Sequence, residues 1–269
     1  MNIPIKAGSD SVWQRLHQEV VGMMESEAML ASYLYQTVLN HDSLEASLSF
    51  LLAAKLATPY LLAMSLRDVI AQAFAADPGI GEAIRRDLSA VLERDPAAQG
   101  LAQPFLHYKG FHALESYRVA HWLWNNNRKP MAFFLQNRIS EVFAVDIHPA
   151  ARMGKGILID HGTSVVIGET AVVGDDVSML HEVTLGGTGK ESGDRHPKVG
   201  HGVLIGAGAK VLGNVKIGDC SKIASGSVVL HEVPPHATVA GVPAKIVGRP
   251  SAEEPALQMD QQLDKDFGM

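Results

Sequence analysis

The stretch "VVIGETAVVGDDVSMLHEVTLGG" (165–187) carries aliphatic residues at Ile167, Val173, Met179 and Leu185, a step of six, often followed by Gly or another small residue. An amphipathic helix repeats its apolar positions every three to four residues and a half-buried strand every two, so neither gives six by itself. Upstream the phase runs through Ile147, Met153, Ile159 and Val165, then slips by two residues to Ile167. Downstream, after "GGTGKESGDRHPK" (186–198), it resumes at Val199 and continues through Ile205, Val211, Ile217, Ile223 and Val229, the interruption costing eight residues of phase.

Repeats this short cannot bury an apolar side alone and form a continuous core only when coils stack, which predicts a parallel β-helix. With three hexads per coil, residues roughly eighteen apart lie one above another at about 4.8 Å, and the aliphatic positions form inward ladders. Gly and Ala in "GETA", "GDDV" and "GAGA" suit the corners, where Gly accepts positive φ without a steric penalty. The period does not fix the hand of the helix.

Upstream of the repeats, residues 1–143 are rich in helix formers and caps. "DSLE" (42–45) reads as a capping box, and Thr58-Pro59 and Asp77-Pro78 predict Pro in first helical turns. In "SVWQRLHQEVVGMM" (11–24) and "SLEASLSFLLAAKLA" (43–57) apolar residues recur at three and four, leaving a polar side, so these helices should pack on one another. "HWLWNNNRKPM" (121–131) marks a turn between two helices. The expected fold is therefore α+β: a helical domain over 1–143, a β-helix over 144–248 with one protruding loop, and a flexible tail over 249–269, where the hexad is lost and charge is dense.

Composition excludes several classes. The chain of 269 residues has one cysteine, Cys220, so no internal disulfide, and its net charge of −6 argues against a nucleic-acid binder. No stretch reaches the roughly 18 uncharged apolar residues of a membrane-spanning helix, and "MNIPIKAGSDSVW" lacks the basic and apolar regions of a secretory signal. A cytoplasmic protein is expected.

A regular solenoid needs only aliphatic, small and solvated residues, so polar clusters that break its pattern are informative. "AVDIHPAARMGKGILIDHGT" (144–163) holds Asp146, His148, Asp160 and His161. Asp146 and His161 are fifteen residues apart, a spacing expected to put them on neighbouring coils near one corner, where a carboxylate could orient an imidazole. A single histidine is otherwise an ordinary exposed or hydrogen-bonded one. In the loop, Arg195-His196 could grip a carboxylate, although a solvated excursion is the plain alternative. Cys220 sits in an ordinary hexad, "IGDCSK", with nothing adjacent to activate a thiolate.

"DIHPAARMGKGILIDHGTSVVIGETAVVGDDV", "VTLGGTGK", "GDRHPK", "GAGAKVLGN" and "AGVPAKIVG" resemble the bacterial serine O-acetyltransferases. "LERDPAAQG", "LHYKGFHALESYRVAHWLWNNNRK" and "FFLQNRISEVFAVDIHP" extend the resemblance to about residues 10–250. It implies a left-handed β-helix and acetyl transfer from acetyl-CoA to the L-serine hydroxyl, with no permanently bound cofactor and no metal. Carried over by position, it puts the catalytic dyad on His161 (general base) and Asp146, and the serine site on Asp95, Asp160, His161, Arg195 and His196. Arg195 would hold the carboxylate, and Asp95 and Asp160 the ammonium. Small residues Gly187, Ala207 and Ser225 would admit the pantetheine arm, with Lys222 and Lys245 at the CoA phosphates. Loop backbone N–H groups and His196 both remain candidates for the oxyanion donor.

The resemblance further implies trimers paired into hexamers, active sites between subunits, and inhibition by L-cysteine. Relatives dock a C-terminal isoleucine into O-acetylserine sulfhydrylase, whereas this chain ends at Met269, so a weak or absent complex is expected. Three other readings compete. A sugar or other small-molecule acetyltransferase would share His161 without the amino-acid grip. A zinc lyase of the γ-carbonic anhydrase type would bind its metal through histidines of adjacent subunits, among His148, His161, His181, His196 and His201. A non-enzymatic scaffold would need none of the polar clusters.

Overall fold

The computed structural model describes residues 10–189 and 192–263. Helices α1 (Ser11–Ser26), α2 (Ala31–Leu34), α3 (Leu44–Leu56), α4 (Ala63–Ala76), α5 (Pro78–Arg94), α6 (Ala102–His107), α7 (Lys109–Asn125) and α8 (Lys129–Phe143) precede the first strand. Asp77 caps α5, accepting from the Gly79 N–H at 2.9 Å with Pro78 in the first turn, as expected. The Asn125–Lys129 turn between α7 and α8 also falls where the asparagines placed it.

Three local expectations are corrected. Thr58-Pro59 opens no helix: Thr58 Oγ1 accepts from the N–H groups of Tyr60 and Leu61 in a turn, and α4 starts at Ala63. The cap of α3 is Ser43, which accepts from Ala46 N–H, so Glu45 has no capping role and instead binds Arg85. Nor does α3 keep a polar side. Ser47 and Ser49 are buried, their hydroxyls donating to the carbonyls of Thr37 and Ala46, which satisfies them without water.

The hexads form the expected stacked coils. Strands β1 (Val145–Ile147), β4 (Val165–Ile167), β7 (Thr184–Gly186), β10 (Lys210–Leu212) and β13 (Val228–Val229) make one parallel sheet. A second holds β2 (Arg152–Met153), β5 (Val172–Val173), β8 (Lys198–Val199) and β11 (Lys216–Ile217). The third holds β3 (Leu158–Ile159), β6 (Ser178–Met179), β9 (Leu204–Ile205), β12 (Lys222–Ile223), β14 (Thr238–Gly241) and the antiparallel β15 (Ala244–Gly248). The slip and the insertion appear as register: Ile147 pairs with Ile167, Ile167 with Leu185, Leu185 with Val211, and Val211 with Val229. All five are buried, so both irregularities are absorbed at corners without displacing the ladder.

Several corner residues besides glycine adopt positive φ, among them His161 (58°), Asp176 (55°), Glu182 (58°) and Cys220 (52°). For a side-chain-bearing residue this left-handed conformation costs about 1–2 kcal/mol, which the flanking parallel strands must offset.

The helical domain is bolted to the first coils. Arg118 pairs with Asp87, both buried, and donates to the Gly154 carbonyl, while Asp87 accepts from Ile157 N–H at 2.8 Å. Glu115 beside them has its pKa raised well above the usual carboxylate range by burial and then by Asp87.

The segment after the solenoid, expected as a flexible tail from Arg249, is anchored at Ala252, Pro255 and Ala256. A short helix, α9 (Pro255–Gln258), lies against α5 and β9 with Ala256 fully buried, and Ser178 Oγ donates to the Ala256 carbonyl at 2.9 Å. Charge density misled because Ala252, Pro255 and Ala256 supply an apolar edge that covers the third sheet. Met269 lies outside the described residues.

Candidate active site

The strands of the first sheet run in one direction, so residues preceding each strand form its leading edge and those following it form its trailing edge. A three-residue strand is about 10 Å long. That length separates two polar groups.

At the leading edge, Asp160 and His161 follow β3 and face the start of α7. With Asp95, His107, Tyr108 and Lys109 they bound a cavity of about 430 Å³. Asp95 terminates α5 and accepts from Ala97 N–H at 2.8 Å, which fixes its carboxylate toward the cavity mouth. The Tyr108 hydroxyl is pushed up to about 12 by burial and by the adjacent Asp95 and Asp160, so it stays a neutral donor between two carboxylates. Lys109 Nζ donates to Thr163 Oγ1 at 2.5 Å, joining α7 to the His161 turn. The imidazole of His161 is largely exposed, 3.9 Å from an Asp160 oxygen, with its ring edge against His181 at 5.6 Å between centroids.

Close approach of α7 to β3 depends on Gly110. A Cβ there would lie 2.0 Å from the Ile159 carbonyl oxygen, and Gly162, at φ 72°, packs against the same glycine.

At the trailing edge lie His148, Glu169, Thr170, Arg195 and His196. Arg195 Nη2 donates to Glu169 Oε2 at 2.8 Å, and Arg195 holds the Glu169 carboxyl below its usual range. His196 is buried; its Nδ1 accepts from Thr170 N–H at 3.1 Å, which leaves Nε2 to carry the proton. Burial, followed by Arg195, lowers its pKa and favours that neutral form.

Within one chain the proposed serine-site residues therefore divide: Asp95, Asp160 and His161 at one edge, Arg195 and His196 at the other. The expected contact of Asp146 with His161 is corrected in the same way. The slip makes the first coil twenty residues long, so Val166, not His161, stacks on Asp146. Asp146 accepts instead from Gln136 Nε2 of α8 at 2.7 Å and lies near enough to His148 to influence its charge.

Of the residues expected at CoA, Ala207 and Ser225 continue the leading-edge column above His161 and His181. This follows from the pairing of Ile159 with Met179, Met179 with Ile205, and Ile205 with Ile223. Gly187 is at the trailing edge beside Arg195, and Lys245 is exposed on β15. Lys222 is buried under the C-terminal segment, its Nζ donating to the Gln262 carbonyl and 3.7 Å from Asp260.

Within one chain the histidines weighed as zinc ligands lie apart, except for the contact of His161 with His181. His148 is set among Trp124 and Phe133, His196 is tied to Thr170, and His201 faces Glu254. Among the described residues no group of three or more His, Cys, Asp or Glu could hold a metal. Sequence reasoning missed Tyr108, Lys109, Glu169 and Thr170. "HYKG" offered a signal, a glycine interrupting a helical run just where polar and aromatic residues cluster.

A helical domain clamped to a hexapeptide β-helix, with an exposed histidine beside paired carboxylates at a coil corner, defines a hexapeptide-repeat acyltransferase. Residues 12–116 match the model for "Serine acetyltransferase, N-terminal", and residues 196–231 that for "Bacterial transferase hexapeptide (six repeats)". The chain is 53% identical over 253 residues to a serine acetyltransferase of Salmonella typhimurium, covering 94% of this chain and 93% of the relative. It superposes on a serine acetyltransferase in complex with cysteine at TM-score 0.92 and 54% identity, covering 94% of this chain and 98% of that one. A serine acetyltransferase from Brucella abortus in complex with coenzyme A gives TM-score 0.89 and 50% identity, covering 90% and 98%. The chain belongs to the serine acetyltransferase family.

Proposed function

We propose that this chain transfers acetyl from acetyl-CoA to the hydroxyl of L-serine, giving O-acetyl-L-serine and free CoA, and that two copies of the chain form each active site. The observation that carries the composite site is the division just described: an ammonium-binding and base-bearing edge on one side of the first sheet, a guanidinium and a neutral imidazole on the other. Juxtaposed in a trimer, the leading edge of one copy and the trailing edge of the next supply all five serine contacts. Pairing of trimers into hexamers is the larger assembly the family suggests.

In this site Asp95 and Asp160 accept from the substrate ammonium while Arg195, released from Glu169, receives the carboxylate in bidentate fashion. Neutral His161 takes the hydroxyl proton as the serine oxygen attacks the thioester carbon, and Asp146 of the neighbouring copy steadies the imidazolium. The Ala207 and Ser225 column accepts the pantetheine arm, and Lys245 meets the CoA phosphates. Lys222 can join it only when the C-terminal segment lifts. L-cysteine, with sulfur for oxygen, fits the same amino-acid contacts and competes with serine. Cys220, the one thiol and buried, suits a reducing cytoplasm. Among the described residues no helix is long and apolar enough to cross a membrane.

Thiol release from acetyl-CoA across free L-amino acids and sugars tests the reading. Serine alone should support turnover, and His161→Ala should lose roughly 10²- to 10⁴-fold in kcat while remaining folded. Turnover with a sugar acceptor, or near-normal kcat without His161, would contradict it.

A further inference from the structure

The leading-edge column holds a second histidine with no assigned role. His181 follows β6 one coil beyond His161, and the two rings meet edge to face at 5.6 Å between centroids. Corner hydrogen bonds continue the column: Gly208 N–H donates to the His181 carbonyl at 3.0 Å, and Gly226 N–H to the Ala207 carbonyl at 2.8 Å. His181 therefore separates the general base from Ala207 and Ser225, where the pantetheine arm is placed. The thioester joins those two regions, so its carbonyl must pass over the His181 ring.

The state of that ring is set by its surroundings. Nδ1 is buried and without a hydrogen-bond partner among the described residues. A buried N–H lacking an acceptor is the rarer and costlier orphan, so the proton belongs on Nε2. Nε2 makes no hydrogen bond among the described residues and is left to meet substrate.

We infer that His181 Nε2–H is the oxyanion donor of the acetyl transfer, a role that rests on the activity proposed above. As the serine oxygen bonds to the thioester carbon, the carbonyl π pair moves onto oxygen and the alkoxide is held by His181, while His161 carries the serine proton. Collapse re-forms the carbonyl and breaks the carbon–sulfur bond, and the departing CoA thiolate takes the proton from His161. One histidine moves the proton and its neighbour holds the developing charge. The edge-to-face contact keeps the two imidazoles in register.

The experiment compares His181→Ala and His181→Gln with wild type by steady-state kinetics and by calorimetric titration with CoA. Removing a donor aimed at the oxyanion should lower kcat roughly 10²- to 10³-fold. The KM for serine and CoA binding should be little changed. Glutamine, which keeps an N–H donor and the side-chain bulk, should recover part of the loss. A His181→Ala enzyme with kcat within threefold of wild type would overturn the assignment. So would equal losses in both variants together with weakened CoA binding, the mark of a structural role. Absence of serine-dependent thiol release by the wild type would instead defeat the acetyltransferase reading itself.

Discussion

His112 sits on α7 between Phe111 and Phe143, buried, its Nε2 bonded to the Phe105 carbonyl at 2.7 Å. Burial drives its pKa down to about 3, against the upward pull of that hydrogen bond. Below pH 6.5 the unfolded chain binds a proton there and the folded chain does not, so stability falls as pH falls, by about 1.4 kcal/mol per unit. The loss continues down to the folded pKa. Denaturant unfolding at pH 7 and pH 5 should show His112→Gln, which keeps a donor for Phe105, losing about 2 kcal/mol less than wild type over that interval. An unchanged difference would place the acid sensitivity elsewhere. At this scale the sequence was readable where a residue type has one use. His161, Asp160 and Asp95 were identified by motif and do line one cavity. Glu169 and Thr170 escaped notice because an acid and a hydroxyl on a solenoid corner look like any solvated turn until Arg195 and His196 fold back on them.

Among the elements, the start of α7 and the end of β3 carry the leading-edge site, and Gly110 sets their separation. Gly110→Ala puts a methyl 2.0 Å from a backbone oxygen, which no rotamer change can relieve. Overpacking of this kind costs about 1–3 kcal/mol, and a shift near 1 Å between Tyr108 and Asp160 should cost about 10²-fold in turnover. Thermal unfolding and serine kinetics on the variant would check both effects; a variant with unchanged activity would show that the two elements need not touch. The inward aliphatic positions of the strands up to Val229 were legible, because a step of six has only one efficient burial and each register offset reproduces a break in the phase, whereas β14 and the antiparallel β15 lie beyond that run. Helix caps were less so. Asp42, Ser43 and Thr58 are all good capping types, and only the packing of α3 and α4 decides which of them is used.

The whole molecule couples its two domains through buried charge, with Arg118, Asp87 and Glu115 meeting the second corner of the first coil. The chain pattern announced a helical half and a solenoid half but not this bolt, since "RDLSA" and "ESYRV" read as ordinary amphipathic helix. It also misplaced Asp146, because spacing alone cannot show on which edge of a sheet a residue lies once a coil has gained two residues. In the proposed trimer the neighbouring copy supplies Asp146 to His161. His161→Ala removes the leading edge and Arg195→Ala the trailing edge, so each homogeneous protein should be nearly inactive. Co-expressed in equal amounts under different affinity tags and purified as mixed trimers, they should regain serine-dependent CoA release at about one third of the wild-type rate, since each mixed trimer has one interface joining an intact edge to an intact edge. Mixed assemblies that form but recover no activity would contradict an active site shared between copies.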